Sequence, residues 1–264
     1  RTRAGDPVFQ QARLRERLES LLVSFCEREG VGYTQGLHEV AAAFVFIEEA
    51  APDSHWTRAT TLSCFVAFVR RFLPYYYDSE SFIALHISLL FFRQLTFYHH
   101  PDLHLQLEES GVSPFIYATP WFLTLFASRT PMLVLLRFWD RFMHLGEAPF
   151  MLFIAVAMLL DQKRAILSAA QEDTVRAVVR AGLVSYSSLD TVWAFARELQ
   201  ESTPKSFVVR LSRVLKAVES KRSTLDAAGE APWAERVRCR VERDRHFVLL
   251  PAEVTAHLAR ARRP

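Results

Sequence analysis

"VGYTQGLHEV", residues 31–40, joins two stretches of helical periodicity and carries the most conspicuous polar exception in the chain. A plain connector needs one glycine to stop a helix. Here Gly32 and Gly36 bracket Tyr33, Thr34 and Gln35. Such a segment is either a helix stop followed by a helix start, or a rigid turn that holds one amide outward. The flanking chain decides between them.

Upstream, Leu14, Leu18, Leu21, Leu22 and Phe25 fall on one face with Arg and Glu between them, which predicts an amphipathic helix over about 12–29 that stops at Gly30. Downstream, Leu37, Val40, Ala41 and Phe44 share a face of a second helix that Pro52 closes. A third is expected from about Thr57 to Leu73, with Leu62, Phe65, Val66, Val69 and Phe72 inward, before Pro74. Residues 80–98 are apolar nearly all round and read as a central helix, followed by a short one ending at Gly111. Pro120 falls in the first turn of "TPWFLTLFA", where its missing N–H costs little. Further helices are expected at about 132–144, 149–167, 171–182, 188–200 and 204–219. Residues 223–233 read as a linker before a final helical pair. No segment alternates with period two and no repeat recurs, so the fold class is all-α and not a regular solenoid.

The composition sets bounds on function. The chain has 264 residues, half of them apolar, enough for one large or two small cores. Its formal charge of +3 makes no electrostatic case for nucleic acid. Cys26, Cys64 and Cys239 have neither metal-ligand nor disulfide spacing, which suits a reducing, cytoplasmic compartment. The first residues are polar, so no signal peptide is expected. The most apolar run, Pro149 to Leu160, spans twelve residues before Asp161. A bilayer core needs about twenty, so the run reads as a buried helix and no transmembrane segment is expected.

Common catalytic motifs are missing from the sequence: no Gly-rich phosphate loop with its Lys, and no Gly-x-Ser-x-Gly elbow. His99 and His100 point about 100° apart on a helix and make a poor metal pair, so no metal site is expected. Glu48–Glu49 and Glu108–Glu109 lie near helix ends and read as solvated. Any chemistry is expected to lend groups to a reaction centred on a partner.

"GYTQG" at 32–36, followed by Leu37, resembles the Y-x-Q-G motif of TBC-domain Rab GTPase-activating proteins. "RTRAGDPVF" at 1–9 resembles the family segment upstream of it, with Pro7, Val8 and Phe9 after an arginine–threonine pair. "PWFLTLFA" at 120–127, "LRFWDRFMHLG" at 136–146 and "TPKS" at 203–206 resemble later stretches of the family, in order. The family's usual Met–Asn after Q–G is Leu37–His38 here. The aspartate that the family carries a few residues before the arginine would precede Arg1, so the chain is expected to begin inside that motif.

The resemblance implies a two-lobed TBC domain over 1–264, with an N-terminal lobe to about 130 carrying the functional residues and a C-terminal lobe over 131–264. It implies activation of a Rab-type GTPase through two groups supplied in trans, an arginine finger at Arg1 and a glutamine finger at Gln35. Arg3 is the fallback arginine. Tyr33, expected as a packing anchor whose hydroxyl finds a partner, Gly36, expected to admit the GTPase backbone, and His38 would complete the partner-binding face with Arg3. GTP and Mg²⁺ would belong to the partner, leaving this chain without a cofactor, and the protein would be cytoplasmic and peripheral to membranes through the Rab. Trp121, Phe122, Trp139 and Asp140 read as scaffold, with Asp140 accepting a hydrogen bond in the core.

The implied chemistry is physically sensible. Guanidinium is permanently charged and offers planar forked donors to phosphate. An amide accepts from water with its oxygen and donates with its nitrogen. The first predicted helix is roughly 25 Å long, and residues 1–11 can span roughly 35 Å if extended, so chain length lets Arg1 reach the Gln35 turn. Two other classes compete: a non-catalytic TBC adaptor that binds a GTPase or trafficking complex, and a helical scaffold unrelated to GTPases.

Overall fold

The computed structural model describes residues 11–50, 56–73, 82–128, 130–145, 149–179 and 186–214, and among these every regular element is helical. The linker at 223–233, the final helical pair, Cys239, Arg1 and Arg3 lie outside the described residues.

The first helix, α1 (Ala12–Glu29), buries Leu14, Leu18, Leu21 and Phe25 along one stripe. It ends at Gly30, whose φ of +64° is the left-handed cap that favours glycine. Next, α2 (Leu37–Ala50) packs on α1, and α3 (Arg58–Phe72) packs on both. The Thr57 hydroxyl caps α3 by accepting from the Thr60 N–H at 3.2 Å. The chain continues through α4 (Ile83–His99), α5 (Pro101–Glu109), α6 (Pro114–Tyr117), α7 (Thr119–Leu123), α8 (Met132–Leu145) and α9 (Phe150–Asp161). It then passes through α10 (Lys163–Ser168), a 3₁₀ turn (Gln171–Asp173), α11 (Thr174–Val179), α12 (Tyr186–Ser202) and a final described helix, α13, at 205–214.

The expected single helix over 149–167 is two, because the backbone of Gln162 leaves the helical region (φ −101°, ψ 5°) and re-aims the chain. Residues 171–179 likewise divide into the 3₁₀ turn and α11. The short α6 has no counterpart among the expected elements. The apolar run is a central helix: every residue of α9 from Phe150 to Leu159 is buried, with α4 and α12 packed against it. Among the described residues no helix is long and apolar enough to cross a membrane.

An aromatic cluster joins the helices that carry the 31–40 junction to α8. Phe44 of α2 meets Phe65 and Phe68 of α3 at 5.4 Å each, and Phe68 meets Trp139 at 4.5 Å. Phe72 meets Phe142 at 5.5 Å in a T-shaped pair. Edge-to-face and tilted contacts of this kind fix orientation as well as burying area.

Candidate functional site

The junction between α1 and α2 is a tight turn. The Leu37 N–H donates to the Thr34 carbonyl at 3.2 Å, placing Gln35 and Gly36 at the centre. Gly36 has φ +105°, a conformation that a turn of this kind assigns to glycine. Gln35 is exposed, and nothing among the described residues hydrogen-bonds its amide. Of the two starting alternatives, the structure therefore has the turn that holds an amide outward.

Gly36 is buried. A Cβ added there would stand 3.3 Å from Thr124 Cγ2 and 3.7 Å from Leu123 Cβ. What glycine admits at this position is thus the end of α7 in this same chain. That end is itself unusual: Leu125 and Phe126 both have positive φ, +43° and +63°, which bulky side chains rarely adopt. The strain is held by hydrogen bonds. Phe126 N–H donates to Trp121 O at 2.8 Å, Trp139 Nε1–H to Leu125 O at 2.9 Å, and Thr130 O–H to Phe126 O at 2.5 Å. Trp121, Phe122 and Trp139 are buried, as scaffold residues should be. Asp140 is not part of that core; it is exposed on the outer face of α8.

Beside Gln35, Tyr33 is 57% exposed and so is no packing anchor, but its hydroxyl does find a partner, His38 Nδ1 at 2.7 Å. His38 sits in the first turn of α2, half-buried, with Nε2 3.7 Å from Glu39 Oε1. Burial holds its imidazole below the ordinary histidine range, so it is neutral at pH 7. A proton on Nε2, facing the carboxylate, leaves the Nδ1 lone pair to accept from the Tyr33 hydroxyl.

The helices on either side are locked together by a network that the sequence reading passed over. Glu48, expected to be solvated, is largely buried and takes two bonds from Arg17, at 2.6 and 2.7 Å. It also accepts from the Thr61 hydroxyl of α3, which in turn accepts from Trp56 Nε1–H at 3.0 Å. Those Arg17 bonds hold the Glu48 carboxyl below the usual range. Arg13 pairs with Glu49, so two ion pairs, Arg17–Glu48 and Arg13–Glu49, line the polar cleft between α1 and α2, beside Glu16, Ser20 and Arg58. The signal that could have found Glu48 is its spacing: it lies three residues from Val45, on the buried edge of α2.

Among the described residues no three His, Cys, Asp or Glu side chains converge as a metal site. His99 and His100 face different partners, Thr203 Oγ1 at 2.8 Å and Lys163 Nζ at 3.5 Å.

The Rab-GTPase-TBC domain family matches residues 1–167, the part of the chain that contains the whole junction. The human TBC domain-containing protein kinase-like protein is 29% identical over 136 residues, 52% of this chain and 14% of that protein. TBC1 domain family member 4 of Mus musculus is 25% identical over 189 residues, 72% of this chain and 13% of its own length. The chain therefore spans a small part of the relatives it matches. Among solved structures, the Ypt/Rab-GAP domain of Gyp1p has a TM-score of 0.63 at 17% identity, covering 76% of this chain and 70% of that one. The Chlamydomonas flagellar RabGAP TBC domain has a TM-score of 0.57 at 19% identity, covering 73% and 62%. At those identities the likeness speaks for the fold, which is all-α in each.

Proposed function

The chain belongs to the Rab-GTPase-TBC domain family, and on that premise we propose that it accelerates GTP hydrolysis by a Rab-type GTPase through an arginine and a glutamine supplied in trans. The observation that carries the proposal is the Gln35 turn: an exposed amide at the apex of a glycine turn, backed by α7 and flanked by Tyr33 and His38. Hydrolysis on a small GTPase needs a positioned water and cationic stabilisation of the transferring phosphoryl group. Gln35 holds the water in this reading, and Arg1, with Arg3 as the alternative, meets the phosphoryl charge. The surface around Tyr33 and His38, with Arg3, faces the docked GTPase, while Gly36 sets the turn from behind. Nucleotide and Mg²⁺ come with the partner, and the protein works in the cytoplasm on membranes that the Rab marks. The fingers belong to an N-terminal lobe that gives way to a C-terminal one near residue 130.

Single-turnover GTP hydrolysis across a Rab panel tests the proposal. With the responding Rab, Gln35→Ala should remove most of the stimulation while leaving the fold intact, since an exposed turn side chain carries little stability. Unchanged stimulation would remove Gln35 from the mechanism, and binding to the GTP-bound Rab without stimulation by the parent would leave an adaptor. An arginine finger acts on charge that develops in the transition state, with effects of roughly 10³–10⁵ in rate in other GTPases. Arg1→Ala should therefore lose stimulation yet keep its affinity for the GTP-bound Rab, and Arg1→Lys should rescue poorly. Full activity of Arg1→Ala beside an inactive Arg3→Ala would transfer the role to Arg3.

A further inference from the structure

The arm that leads into Gln35 is held at its start, where Val31 packs against the core, while Gly32 and Tyr33 beyond it are exposed. Residues 31–34 belong to no helix, and the arm is tied to α1 by the Val31 N–H, which donates to Cys26 O at 3.1 Å. The arm that leads out is α2, fixed by its buried face. One side-chain bond bridges the two: Tyr33 O–H to His38 Nδ1 at 2.7 Å, with the rings 6.2 Å apart and inclined at 38°. It closes over Thr34, Gln35, Gly36 and Leu37, the four residues of the turn. Its two ends are unequal. The His38 side chain is 19% exposed and belongs to the first turn of a helix, so it is the fixed end. Tyr33 is mostly exposed, so packing does not orient its ring and the hydroxyl bond does.

We propose that the Tyr33–His38 bond is a clasp that holds the turn in the orientation presenting Gln35, making both side chains positioning residues for hydrolysis; this rests on Gln35 supplying the catalytic amide. Thr124 fixes the turn from inside, against Gly36, and the clasp fixes it from outside. With both in place, Gln35 reaches the attacking water without first ordering its own backbone, which is where positioning lowers a barrier. The atom that His38 uses, Nδ1, is attached to Cγ just as an asparagine Oδ1 is, so an asparagine side chain would place an acceptor at the same point.

The test is a double-mutant cycle in single-turnover hydrolysis with the responding Rab. Tyr33→Phe, which removes only the hydroxyl, and His38→Ala should each lower kcat by about five- to twentyfold, with any rise in KM smaller than the fall in kcat and Tm near the parent's, because an exposed hydrogen bond adds little to global stability. The double mutant should be no slower than the worse single, as shared interactions require. His38→Asn should recover much of the loss, but not in a Tyr33→Phe background. Independently of activity, long-range ¹H–¹⁵N spectra should show His38 protonated on Nε2, with the Nδ1 resonance moving in Tyr33→Phe. Additive losses, losses in KM alone, or an Nδ1 resonance that does not move in Tyr33→Phe would overturn the clasp. If Gln35→Ala leaves hydrolysis unchanged, the positioning role falls too, but the spectra then separate a wrong finger from an absent clasp.

Discussion

Gly36 couples the apex of the turn to the interior of the protein, and a single methyl group is enough to test that. In Gly36→Ala the new Cβ meets Thr124 Cγ2 at 3.3 Å, and the φ of +105° is one that alanine adopts only under strain. Both effects push the turn in the same direction, so the variant should lose roughly 1–3 kcal/mol of stability and most of its stimulation with Gln35 still present. Adding Thr124→Ser removes the methyl conflict but not the backbone strain, so it should restore part of the stability measured by urea unfolding. An unaltered unfolding midpoint for Gly36→Ala would mean that the turn does not need glycine. At this scale the sequence was half legible. The bracketing glycines and polar apex left two readings open, a helix stop and start or an outward amide, and the resemblance of "GYTQG" to the family motif favoured the second. The Tyr33–His38 bond spans five residues across a turn and leaves no periodic trace, so a partner for the Tyr33 hydroxyl was expected but His38 was not named as it.

At the scale of elements, the joint between α7 and α8 decides how firmly the turn is backed. Leu125 and Phe126 are buried, bulky and left-handed, a combination that local preference opposes and tertiary contacts must hold. Trp139→Phe keeps an aromatic ring against Phe68 but removes the N–H that satisfies the Leu125 carbonyl. Leaving that buried acceptor unpaired should cost about 1–3 kcal/mol, read as a lower Tm. Because Leu123 and Thr124 back Gly36 from the same segment, kcat should fall as well, by less than in Gln35→Ala. An unchanged Tm would show that the carbonyl is satisfied some other way and that packing alone sets the joint. Helix limits were legible wherever glycine or proline marks them: Gly30 caps α1 as its position implies, and Pro101, Pro114 and Pro120 all fall in first helical turns. The break at Gln162 was not, since glutamine is no breaker and obeys its surroundings rather than its own propensity.

Across the whole molecule, distant segments are joined by neutral histidines, and this gives the fold a definite response to acid. His99, at the end of α4, is tied to Thr203 between α12 and α13. The Thr203 hydroxyl gives its proton to Leu199 O at 2.6 Å, so it can only accept from His99, whose Nε2 must carry the hydrogen. Charging His99 therefore means protonating Nδ1 in a site where burial opposes it, and its pKa is pushed down to about 4. Burial lowers His100 and His104 in the same way, with Lys163 adding repulsion at His100 and the carboxylate of Glu108 opposing the shift at His104. The sign follows from linkage: the unfolded chain takes up these protons near pH 6.5 and the folded one does not, so stability is full above about pH 6.5 and is lost as pH falls toward about 4. Glu48 adds a second loss further down, because its lowered carboxyl pKa stabilises only while it is ionised. Urea unfolding at pH 7.5, 6 and 5 should thus give steadily lower midpoints. His99→Gln offers an amide N–H to Thr203 without a titrating ring, so its midpoint should fall less over the same interval even if it starts lower. Parallel slopes for the parent and His99→Gln would show that His99 is already protonated in the native state at pH 5, and that the α4 link to Thr203 is not maintained by a neutral ring.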